Sequence, residues 1–193
     1  ARMGSWSMKD REPLLRSLAS DAEPSVRAAA VQTSHRLLDW KRAMGGHRGL
    51  SANVPVPRDS DMVAVLLSSV QPSLGNGPTT QSSRAPRQIP AREAYDREFE
   101  RFLVRMFLER HPDAVATFLE SEAAARLPAE ARMLASLALA PKTSAPLVAK
   151  LLGELKRPPN DEEILRLAEG LDDPAVHEAL AAALRNPASR QDI

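Results

Sequence analysis

The chain has 193 residues, 43% of them hydrophobic and 26% charged, which is enough to bury a core and unlike a disordered chain. Its 26 Lys and Arg stand against 25 Asp and Glu, a formal net charge of +1 without the basic excess typical of a nucleic-acid binder. With no cysteine, these residues hold no disulfide, zinc–thiolate site, cysteine nucleophile or c-type haem attachment.

Aromatic residues make up only 4%, which favours helices over sheets. No apolar run approaches the ~20 residues that span a bilayer. Ala1 to Ser20 carries charges throughout, unlike a signal peptide. The opening "ARMGSWSM" and the closing "ASRQDI" read as the edges of a piece of a longer chain.

In chain order, a helix is predicted from Arg11 to Ala19, with Pro13 in its first turn and Leu14, Leu15 and Leu18 on one face. A tight acidic turn follows. A second helix, from Pro24 to about Trp40, carries Val26, Ala30, Leu37 and Leu38 at helical spacing. Gly45, Gly46 and Gly49 then break the pattern, and Val54 to Pro57 reads as extended. A third helix is predicted from Asp59 or Ser60 to Val70. The Pro-, Gly-, Ser- and Thr-rich stretch Gln71 to Pro90 reads as a long flexible loop.

The second half is more regular. Ala91 to Arg110 reads as one long helix with Phe99, Phe102, Leu103, Met106 and Phe107 recurring at three and four. Pro112 opens a short helix through Leu119, and Pro128 opens another that Pro141 is expected to close. Ser144 is expected to cap the next. Asn160 and Glu163 form a capping box for a helix that stops at Gly170. The last helix opens at Pro174. The prediction is an all-α chain of about ten short helices in antiparallel pairs, each with too few apolar faces to close a core alone.

One segment carries a pattern. In "DAEPSVRAAAV", Asp21 accepts hydrogen bonds in the turn, Pro24 pre-sets the first helical turn, Val26 and Ala30 face inward, and Arg27 is placed to reach carboxylates at neighbouring turns. This resembles the HEAT repeat, whose inter-helix turn and second helix run Asp, two residues, Pro, one residue, Val-Arg and then alanines. "LDDPAVHEAL" looks like a second copy: Pro174 and Val176 align with Pro24 and Val26, the acid shifts to Asp172, and His177 replaces the arginine. The resemblance implies a short, irregular HEAT-like α-solenoid, with N-terminal helices over residues 1–70, a loop over 71–90 and C-terminal helices over 91–193. It implies a non-catalytic scaffold or spacer whose partners are proteins or neighbouring domains of the same chain. Arg97 to Ala140 is also similar to helical regions of large bacterial envelope proteins that join a dehydrogenase-like propeller, HEAT repeats and a c-type cytochrome. Under that resemblance this chain is the spacer, haem lies in another module, and the compartment is the envelope or periplasm.

Candidate chemistry is sparse. His35 and Asp39, four apart on a helix, read as a hydrogen-bonded pair rather than a metal site. Met44 to Gly49, "MGGHRG", lacks the flanking strand of a phosphate loop. The acidic pairs Glu162-Glu163 and Asp172-Asp173 stand at helix starts, where the dipole favours them. Arg97, Arg101 and Arg105 form a row on the long helix. They offer an interaction surface that a nucleic-acid-binding solenoid would use against phosphates, although nearby glutamates favour local ion pairs. No catalytic residue, cofactor-binding residue or metal ligand is assigned.

Overall fold

The computed structural model describes residues 8–44, 59–70, 91–157 and 159–185. Among these there are ten helices and no strand, so the chain is all-α. The described residues fall into two compact units, divided after Val70.

The first unit holds α1 (Met8–Ala19), α2 (Pro24–Met44) and α3 (Asp59–Ser68), each packed on the other two. The apolar run of α3 has no polar face, and such a helix must be buried. Met62 through Leu67 are all buried, and the Ser68 and Ser69 hydroxyls donate to the carbonyls of Val65 and Leu66 at its end. Helix α1 begins earlier than predicted, at Met8, so Pro13 lies inside the helix rather than in its first turn. Its missing N–H leaves the Lys9 carbonyl without the usual partner four residues on.

The second unit holds α4 (Ala91–Leu108), α5 (Pro112–Leu119), α6 (Glu122–Ala125), α7 (Ala129–Leu137), α8 (Pro141–Leu152), α9 (Asp161–Glu169) and α10 (Pro174–Arg185). Helix α7 packs on α4, α5 and α8, and α8 packs in turn on α9 and α10. Their core is Met133 and Leu137 of α7, Ala145, Val148, Ala149 and Leu151 of α8, Leu167 of α9 and Val176 of α10.

Prolines set most of these boundaries, in one case against the prediction. Pro141 begins α8 rather than ending α7, which stops at Leu137. A proline fits the first helical position because its fixed φ is already helical and no N–H is needed there. Ser144 is therefore not a cap. It lies inside α8, fully buried, and its amide donates to the Ala140 carbonyl at 2.9 Å. The short α6 was not predicted. Ser121 caps it by accepting the Ala124 amide at 3.2 Å. Gly170, expected as a stop, is the residue that closes α9. A Cβ there would collide with that of Ala145 and lie 3.2 Å from Val176 Cγ2, so glycine lets the end of α9 come close to α8 and α10. The loop expected over 71–90, the glycine break, Val54 to Pro57 and the "GGHRG" segment lie outside the described residues.

Candidate functional site

The two repeat-like motifs stand in different units. In the first, the Asp21 carboxylate accepts the Glu23 amide at 2.9 Å and Pro24 starts α2. Ala30 is buried and Val26 half-buried. Arg27 Nη1 donates to the carbonyls of Asp21 at 2.8 Å and Ala22 at 2.9 Å, so the guanidinium folds back on its own turn. In the second, Pro174 starts α10 and Val176 is fully buried. The acid at work there is Asp173, whose carboxylate accepts the Ala175 amide at 2.8 Å, whereas Asp172 is exposed. An acid immediately before an N1 proline is in the N-cap position, from which its side chain reaches the second helical amide.

His35 and Asp39 do pair, Nε2 to Oδ2 at 3.0 Å, and the imidazole is buried.

The densest polar cluster joins α4, α7 and α9. It grows from the capping box at the start of α9: the Glu163 amide donates to Asn160 Oδ1 at 2.9 Å, and the Asn160 amide returns to Glu163 Oε2 at 3.0 Å. The Glu163 side chain is wholly buried, so its charge requires a counter-ion. Arg157 supplies it through Nη1 to Oε2 at 2.9 Å and Nη2 to Oε1 at 2.7 Å. The same guanidinium reaches Glu130 on α7 through Nε at 2.8 Å and Nη2 at 2.9 Å. Two carboxylates thus share one planar fork, the geometry that arginine and not lysine can serve. Burial opposes the charge on Arg157, but hydrogen bonds from Glu163 and Glu130 more than offset it and hold its pKa above the ordinary guanidinium value.

Arg101 of α4 closes the cluster, with Nη1 3.7 Å from Glu130 and Nε 3.8 Å from Glu98. It is only 5% exposed, and burial draws its pKa below the usual value while Glu130 and Glu98 push it back up. The predicted arginine row is therefore not an open cationic face. Arg101 is buried among glutamates, Arg105 pairs with Glu109 at 2.8 Å and with Glu162, and Arg97 is half-buried. A further pair, Arg132 with Glu154, ties α7 to the end of α8, and Arg132 Nε also donates to the Leu127 carbonyl at 3.2 Å.

No family model matches this chain, and neither a curated protein nor a solved structure matches it. The site is accordingly read from its own geometry. Its acids and bases bond to one another and to helix ends, an arrangement that fixes α7, the 153–160 connection and α9 together.

The sequence pattern marks Glu163 as a cap but not as a buried ion, and it does not single out Arg157. Glu130 and Arg157 are 27 residues apart, beyond any local spacing rule. On the outside of the same region, Phe99, Phe102 and Met106 of α4 are 46%, 59% and 37% exposed. No helix among the described residues is long and apolar enough to cross a membrane.

Proposed function

We propose that this chain is a non-catalytic, HEAT-like helical-repeat scaffold or spacer that holds a protein partner or a neighbouring domain. The observation that carries this reading is the contrast on α4. Arg101 and Arg105 are committed to ion pairs within the fold, while Phe102 and Met106, large apolar side chains, stand exposed on the same helix. Exposed aromatic and Met side chains beside a polar rim are the usual composition of a protein-binding patch. The recurrence of a proline-opened helix after an acidic turn, at Pro24 and at Pro174, supports the repeat assignment. The packing of α8 on α7, α9 and α10 fits helices stacked on their sequence neighbours.

The test is site-specific photo-cross-linking of the full chain in its native cells. A photoreactive residue replaces Phe102, and a second replaces Thr117, an exposed position on α5, as the control. The reading predicts one recurrent polypeptide adduct from position 102 and not from position 117. Adducts with nucleic acid, or none from either position, count against it.

A further inference from the structure

A groove of about 520 Å³ runs between α4, Leu134 of α7 and the start of α9. Its apolar lining is Phe102, Met106 and Leu134. Phe102 and Met106 are four residues apart on a helix and so stand on one face. Its rim is acidic. Glu98, Glu109 and Glu162 keep 45%, 47% and 43% of their side-chain surface exposed. Arg101 and Arg105, on the same wall, keep only 5% and 20%. The positive groups therefore lie deep, already facing Glu130, Glu109 and Glu162, while the groups turned to solvent are negative. Asp161, exposed at the start of α9, adds to the same sign.

We infer that this groove docks a cationic amphipathic helix from a protein partner. This rests on the scaffold reading and deepens it by naming the chemistry of the occupant. Apolar residues of such a helix, spaced at three and four, seat on Phe102, Met106 and Leu134, while Lys or Arg at the flanks meet the three rim glutamates. An acidic helix of the same apolar pattern meets like charge along the rim and is rejected.

The probe is a fluorescent peptide of about 18 residues, roughly five helical turns, with Leu on one face and Lys on the other. It is titrated into the full chain beside a Leu/Glu counterpart and read by anisotropy. The Leu/Lys peptide binds saturably, and raised salt weakens it, because the rim charges are exposed and screened. Phe102→Ser weakens it by roughly tenfold, the scale of a central apolar anchor, with the circular dichroism unchanged. Should Phe102→Ser disturb the helices, Met106→Ala tests the same apolar lining. Equal binding of the Leu/Glu peptide, or binding by the wild type and both variants alike, overturns the inference. Failure of the Leu/Lys peptide to bind while position 102 still gives a recurrent polypeptide adduct overturns the cationic-helix assignment and leaves the scaffold reading standing. Failure of both removes both.

Discussion

Arg157 and Glu163 share two hydrogen bonds, at 2.9 and 2.7 Å, around a carboxylate with no solvent exposure. They lie six positions apart in the chain, and Glu163 itself closes the capping box of α9 with Asn160. Glu163 therefore serves two structures at once, the helix start and the ionic link through Arg157 to Glu130 on α7. Breaking a buried ion pair costs about 3–5 kcal/mol, and the lower end applies to Glu163 because Glu130 still holds Arg157 after its removal. Glu163→Ala is expected to lower stability by that amount in urea unfolding, and Glu163→Gln by less, because an amide still fills the capping box. Equal losses for the two variants would show that the capping hydrogen bond adds nothing to the contribution of the charge.

Ser144 should respond in the opposite direction. Its hydroxyl is fully buried and finds no hydrogen-bond partner among the described residues. An unsatisfied buried polar group costs about 1–3 kcal/mol. Ser144→Ala removes it with little change of volume and should raise the thermal midpoint, with a gain of about 1 kcal/mol. A fall in midpoint on scanning calorimetry would mean that the hydroxyl has a stabilising role.

Gly170 tests how closely the end of α9 approaches α8 and α10. Gly170→Ala drives a methyl into Ala145 and crowds Val176, and such overpacking costs about 1–3 kcal/mol. Ala145→Gly in the same chain clears the space. The double variant should therefore be more stable than the sum of the two single losses predicts. Strict additivity in denaturant unfolding would mean that the helices separate freely at that point.

The second repeat-like turn gives a comparison of adjacent acids. Asp173 accepts the Ala175 amide and Asp172 is exposed. Asp173→Ala should cost about 1 kcal/mol, the ordinary loss of an N-cap, while Asp172→Ala should stay within about 0.5 kcal/mol. The reverse order of losses would restore the register read from the sequence.

These cases also show why some features were legible and others were not. Pro24, Pro112 and Pro174 marked helix starts correctly because proline's fixed φ and missing N–H suit the first turn alone. The capping box at Asn160 was equally readable, since it lies within three residues. Pro141 misled because only Ala138 to Ala140 separate two helices, and one proline there can be read as an end or a beginning. The alanine-rich α6 has too few turns to show a period. Arg101 looked like a surface cation because helical spacing reports a side, not what packs against it. The link from Arg157 to Glu130 spans α8 and is a product of tertiary packing.

The central claim is that the buried cluster of Arg101, Glu130, Arg157 and Glu163 clamps the helices of the second unit together and leaves the binding to the exposed groove along α4. A double-mutant cycle between Arg157→Met and Glu163→Gln, read by urea unfolding and by photo-cross-linking from position 102, tests it directly. The account predicts a coupling of about 1–3 kcal/mol between the two positions, with the adduct from position 102 retained wherever the variant is folded. Additivity within about 0.5 kcal/mol, or loss of the adduct at unchanged stability, would contradict it.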